Sequence, residues 1–392
     1  MNGFEFAAVK SGIRGKDRLD MGLIFCRCPA AAAGVFTTNL VQAAPVILGR
    51  ERIAGGMIQA VLVNSGIANA CTGDTGLKNA EDCARMTAAA LGIAEELVLV
   101  SSTGVIGEQF DMSCFARCIP KLAAATGSDK LADVNRAIMT TDTVPKQAER
   151  VVQLGGQPVR LAGIAKGAGM IMPNMATMLC FIMTDARIES AILRPMLAGA
   201  VQQSFNRITV DGDTSTNDTA IIMASGLAEN ALLDEIDSSE ARLFNQALED
   251  LCRELALKIV ADGEGATKLV TIAVSGAKDE MEAEAAARTV ANSALVKTAF
   301  FGADANWGRI MGALGRSGAA FRPEQIAISF GEQQIVADGQ LISAAAEEAA
   351  ARVLAQKSFT VRIDLGAGKE GCEIYTCDLS LDYVKINADY RT

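Results

Sequence analysis

The run Lys166-Gly-Ala-Gly-Met-Ile-Met-Pro-Asn-Met-Ala-Thr177 sets a cation, two glycines, a proline, an amide and a hydroxyl directly before an apolar segment, residues 178–183, that reads as a buried strand. Thr177 at the mouth of such a strand would hold its hydroxyl in a fixed direction, with small Ala176 on one side and apolar Met178 on the other. Scission of the Ala176–Thr177 peptide would leave residue 177 with a free α-amine about a hydrogen-bond length from its own Oγ. That is a nucleophile carrying its own base.

Such a base fits a chain that has no other obvious one. None of the 392 residues is histidine, so Ser-His-Asp and Cys-His arrangements, imidazole bases and imidazole metal ligands are all excluded. An α-amine has an unperturbed pKa of about 7.7 to 8.0, close enough to neutrality to accept a proton.

Several loops could complete a site. An apolar strand at 97–100 runs into Ser101-Ser-Thr-Gly104, where the glycine permits close backbone approach and successive N–H groups could face an oxyanion. A second strand, 57–63, opens into the small, turn-forming run Asn64 to Gly76 ahead of a helical pattern at 77–91. Residues 139–146 place Thr140, Thr141 and Thr143 around one aspartate, which on residue types alone reads as a helix end and a satisfied turn. Lys166 likewise reads alone as a solvated loop lysine, and Glu264, between two glycines, as a turn acid. Asp211, Asp213 and Asp218 lack the spacing and closing glutamate of a calcium loop, and the run 207–219 reads instead as a dense hydroxyl and carboxylate turn packed near the site.

The supporting elements alternate between strand and helix. Strands are expected at 21–28, 34–39, 46–48, 158–164, 220–224 and 269–274, and helices between 120 and 146 and over 191–205 and 240–260. From about Lys278 the composition turns Ala/Glu-rich. A helix at 280–297, then strand 327–330, helix 341–356 and strand 359–365, suggest a smaller βαβ-like C-terminal domain with tail strands at 372–381.

Half the residues are apolar, but no run reaches the roughly 18 uncharged apolar residues of a membrane span, and residues 1–10 carry no secretory leader. A soluble, cytoplasmic protein with its ten scattered cysteines reduced is expected. The net charge of -10 argues against nucleic acid, not against small anions met by a local cation.

The stretch KGAGMIMPNMATML resembles the autocleavage segment of the glutamate N-acetyltransferase and ornithine acetyltransferase family of arginine biosynthesis, and the likeness runs from Gly12-Ile-Arg14 to Asn387. The resemblance implies an α/β fold, a layered α-β-β-α sandwich of the kind shared with DmpA aminopeptidases. It implies self-cleavage before Thr177 into an α chain, 1–176, and a β chain, 177–392, that remain together as α2β2. Thr177 would be the nucleophile, Thr103 and Gly104 the oxyanion hole, and Thr140, Lys166, Thr177, Glu264, Asn387 and Thr392 the substrate contacts. Within residues 139–146 Thr140 is chosen, with Thr141 and Thr143 beside it.

The implied reaction carries acetyl from N-acetylornithine to glutamate without a cofactor or metal; whether acetyl-CoA is a second donor stays open. The rival readings are a DmpA-like amidase, which would release acetyl to water, and an uncleaved amino-acid-binding protein.

Overall fold

In a computed structural model, which describes residues 1–15, 17–172 and 178–389, Pro29 lies inside a long strand and marks the place where the first sheet changes partners. The chain divides into two compact units, one holding Met1–Asn206 with Asp213–Ile259, the other Arg207–Gly212 with Val260–Tyr390.

The first unit runs β1 (Phe4–Val9), β2 (Met21–Phe36), α1 (Ala44–Ile53), β3 (Met57–Ile67), α2 (Gly73–Leu91), β4 (Val98–Val105), α3 (Met112–Ala124), α4 (Leu131–Ile138), β5 (Lys146–Leu154), β6 (Gln157–Lys166), β7 (Leu179–Thr184), α5 (Ser190–Gln202), β8 (Thr219–Ala224) and α6 (Ser239–Ala261). Hydrogen bonding follows the order β4-β3-β2-β8-β7-β6-β5, with β1 on β2. The first half of β2 pairs with β1 and β3, and its second half, from Ala31, pairs with β8. Between these halves the register slips, at an exposed proline that could not donate to a central ladder.

The two halves carry strands into opposite layers. Side chains from one face of β1 to β4, among them Leu23, Leu62 and Val100, form a core with Cys83 and Ala84 of α2 and Phe115 and Ile119 of α3. Those of the other face, including Ile24, Val61 and Leu99, pack with Ile164, Phe181 and Ile221 of β6 to β8. On the far side of β6 a Cβ at Gly163 would come within 2.8 Å of Leu251 and Leu255 of α6, so the missing side chain lets that helix lie close. The result is the α-β-β-α sandwich. Every position of β7 and β8 is buried, as strands with a layer on each face require.

The second unit contains β9 (Leu269–Ala277), α7 (Glu280–Ala291), α8 (Ala294–Phe301), α9 (Trp307–Leu314), β10 (Ala327–Phe330), β11 (Gln333–Ala337), β12 (Gln340–Leu341), α10 (Ala344–Leu354), β13 (Ser358–Asp364), β14 (Glu370–Cys377) and α11 (Leu381–Asp389). Its sheet order is β12-β11-β10-β13-β9-β14, and Val270, Ile272 and Ile374 share its core with Ala286 and Val290 of α7.

Four local expectations are corrected. Residues 46–48 lie in α1, which begins with Pro45 in its first turn, where a proline costs no hydrogen bond. The single helix expected at 280–297 is two, because Ser293 caps a new start by accepting from Val296 N. Strands 327–330 and 359–365 are antiparallel neighbours, since the β11–β12 hairpin reverses the chain between them; the parallel partner of β13 is β9. Residues 372–381 hold one strand end, and the chain from Leu381 is helical.

Candidate active site

Parallel pairing aligns the ends of β3 and β4, so Ser65 lies beside Thr103 and Gly66 beside Gly104. Both glycines have positive φ, 109° and 134°. A Cβ on Gly104 would lie 2.2 Å from the carbonyl carbon of Gly66, so only glycine permits these backbones to approach. A buried polar floor supports them. Ser102 Oγ donates to Asn64 Oδ1 at 2.7 Å, and Asn217 Nδ2 donates to the carbonyls of Ala68 and Ser102 at 2.7 and 2.8 Å.

From the facing layer, β6 delivers Lys166, whose neighbour in the ladder is Leu179 at the start of β7. Lys166 is buried, and its Nζ donates to Thr103 Oγ1 at 3.2 Å, joining the two layers at this end of the sandwich. Burial pushes the Lys166 ammonium down from its ordinary pKa; Asp142 and Asp218 oppose that, while Lys146 and Arg14 add to it.

Asp142 gathers the elements around Lys166. Its Oδ1 accepts from Lys146 Nζ at 2.6 Å and Gly167 N at 2.7 Å, and its Oδ2 from Thr140 N at 2.8 Å. Burial alone would raise this carboxyl, but Lys166, Lys146 and the Gly167 amide hold it well below the usual carboxylate range. Thr140 is buried beside it, whereas Thr143 is exposed. Arg14 closes the segment from outside: its own amide is held by Asp20, and its guanidinium donates to the carbonyls of Met139 and Thr140 at 2.7 and 3.2 Å.

Asp218, just before β8, accepts Met178 N–H on Oδ1 at 2.9 Å, while its buried Oδ2 has no hydrogen-bond partner among the described residues. Burial drives this carboxyl well above the carboxylate range, against the pull of the Met178 amide, the Thr37 hydroxyl and Lys166. A buried carboxyl therefore anchors the peptide that begins β7.

Ala176, Thr177 and Thr392 lie outside the described residues. Of the other expected positions, the first unit brings together Thr103, Gly104, Thr140 and Lys166. Within the second unit, buried Glu264 accepts from Asn387 Nδ2 of α11 at 2.8 Å, joining two more. Asp142 and Lys146 were not anticipated, while Asn217 and Asp218 belong to the run 207–219 that was expected near the site without an assigned role. The available signals were the aspartate inside a threonine cluster and the acid-rich run at 211–218, both of which resemble ordinary turns. Among the described residues no group of three or more Cys, Asp or Glu side chains could hold a metal ion.

The ArgJ family model matches residues 5–392. "Arginine biosynthesis bifunctional protein ArgJ" of Desulfotalea psychrophila is 53% identical over 392 residues, with all of both chains covered. The protein of that name from Geobacter sulfurreducens is 51% identical, again across the whole of both. Among solved structures, ArgJ of Bacillus halodurans is 43% identical with a TM-score of 0.51, covering 54% of this chain and 98% of that one. An ornithine acetyltransferase from Mycobacterium tuberculosis, solved with ornithine, is 36% identical with a TM-score of 0.41, covering 44% of this chain and 92% of that one. Matched by the family model almost from end to end, and about half identical to two full-length relatives, the chain belongs to the ArgJ family.

Proposed function

We propose that this chain transfers the acetyl group of N-acetylornithine to glutamate through an acetyl-Thr177 intermediate, after cutting itself between Ala176 and Thr177. The observation that carries the reading is the buried Lys166–Thr103 contact at the entrance to β7, in a chain of this family. A buried ammonium with a hydroxyl partner suits the carboxylate of an amino-acid substrate.

Thr177 Oγ attacks the acetyl carbonyl and its proton passes to the residue's own α-amine. Thr103 and Gly104 stabilise the oxyanion, a role in which one donor is worth about 2.7 to 4 kcal/mol. The C–N bond breaks, ornithine leaves with the proton, and the α-amine of glutamate then attacks the ester and restores the hydroxyl. Thr140 and Lys166 hold the substrate backbone, Glu264 takes its amino group, and Asn387 and Thr392 contribute from the tail. Acetyl-CoA entering in place of N-acetylornithine would load the same threonine and make the chain bifunctional. The cut α and β chains act together as a cytoplasmic α2β2 assembly.

The test is denaturing intact mass of the protein beside Thr177→Ala, followed by initial rates. Two fragments, the second starting at Thr177, with one uncut chain in the variant and parallel double-reciprocal lines, are expected. Intersecting lines without an acetyl-enzyme would overturn the intermediate, and acetyl release that ignores glutamate would make the chain an amidase.

A further inference from the structure

We propose that Asp142 is a positioning residue for the acetyl transfer: its carboxylate, clamped by Lys146 and by the amides of Thr140 and Gly167, fixes the place and the charge of Lys166. The proposal rests on the reading of Lys166 as a substrate-binding cation.

An aspartate that merely closes a turn accepts from amides within a few residues and faces solvent. Asp142 is buried and takes donors from three segments: Thr140 two residues before it, Lys146 at the start of β5, and Gly167 twenty-five residues on at the end of β6. Gly167 directly follows Lys166, so the bond at 2.7 Å holds the backbone from which the lysine projects. Lys146 is itself only 1% exposed and reaches Asp142 Oδ1 at 2.6 Å.

Lys146 and Lys166 are both buried, and both help to hold the Asp142 carboxyl well below the usual carboxylate range. Arg14 and Arg18 face the same turn from outside, donating to the Thr140 carbonyl. Lys146 Nζ pairs with Asp142 Oδ1, whereas the Lys166 ammonium donates to Thr103 Oγ1. An ammonium has three protons to donate, which leaves two for an incoming carboxylate. Asp142 opposes loss of the Lys166 proton, and Lys146 promotes it.

The two neighbours therefore predict displacements of opposite sign. In Asp142→Asn the alkaline limb of kcat/KM for N-acetylornithine moves down by about one pH unit or more, and in Lys146→Met it moves up. The substrate's own amine titrates alike in all the enzymes, so differences between them report the protein. A merely structural role would lower activity without moving the limbs apart. In the wild-type protein the Gly167 amide resonance, followed by selective glycine labelling, shifts through the same alkaline midpoint.

Limbs that stay together, or move in one direction in both variants, would overturn the proposal. If Asp142→Asn does not fold, the upward shift in Lys146→Met and the Gly167 titration decide, and a Gly167 amide insensitive to pH across that limb counts against it. The Gly167 reading needs no turnover. A wild-type protein that transfers no acetyl defeats the proposed function, whereas one that does so without divergent limbs defeats only this inference.

Discussion

Thr103 Oγ1 accepts a hydrogen bond from Lys166 Nζ at 3.2 Å across the two layers of the sandwich, although 63 residues separate them in the chain. Accepting from the lysine orients the threonine's lone pair inward and leaves its own O–H to donate elsewhere. Thr103→Val keeps the shape and removes that donor. We expect kcat to fall about 10²- to 10³-fold with KM little changed, as for loss of one oxyanion donor. Steady-state kinetics on both substrates measures it, and a rise in KM alone would place Thr103 in ground-state binding.

Gly104→Ala tests the close approach of β3 and β4. The new methyl would meet the Gly66 backbone at 2.2 Å with φ at 134°, and backbone on both sides cannot rotate away as a side chain can. We expect a loss of about 3 kcal/mol or more in denaturant unfolding. Gly107→Ala is the control, because it also has positive φ but opens onto empty space; there the cost is about 1 to 2 kcal/mol. Equal losses would show that the Gly66 contact is not what demands glycine.

The contrast between Gly104 and Asp142 shows what a sequence reader can see. Thr103 and Gly104 were singled out because they match the Thr-Gly pair of the resembled family; the turn glycine after a short apolar run was by itself only a weak signal. Asp142 was not singled out, because the atoms that make it more than a turn residue, Lys146 Nζ and Gly167 N, reach it only once β5 and β6 have paired. The fold divides similarly. Apolar runs gave β3, β4, β6, β7 and β8, each a contiguous buried segment, and the four-residue stacking of Leu243, Ala247, Leu251 and Leu255 gave α6. Residues 21–28 and 34–39 looked like two strands because Pro29 and four alanines lie in or beside the gap. They are one strand whose bulge hands the sheet from one layer to the other, and partner exchange leaves no periodicity to read.

Asp218 and Asp142 predict opposite dependences of stability on pH. For Asp218 the folded-state pKa is raised above the unfolded value of 3.8, so its contribution is complete below that value and is lost as pH rises toward the folded pKa. For Asp142 the folded pKa is depressed, so its contribution is present above 3.8 and is lost as pH falls through the folded pKa. Asp218→Asn makes the first term visible. The amide keeps an oxygen for Met178 N–H and has no proton to lose, so at pH 3 to 4 the variant should unfold at nearly the wild-type temperature. As pH rises toward 7 it should become the more stable of the two, because the wild type alone then carries the cost of a carboxyl that would ionise if it unfolded. Asp218→Ala, which leaves the Met178 amide unpaired, should instead cost about 1 to 3 kcal/mol. Melting temperatures of the three proteins between pH 3 and 8 separate these outcomes, and an Asp218→Asn variant that weakens relative to wild type as pH rises would mean that Asp218 is ionised in the folded protein.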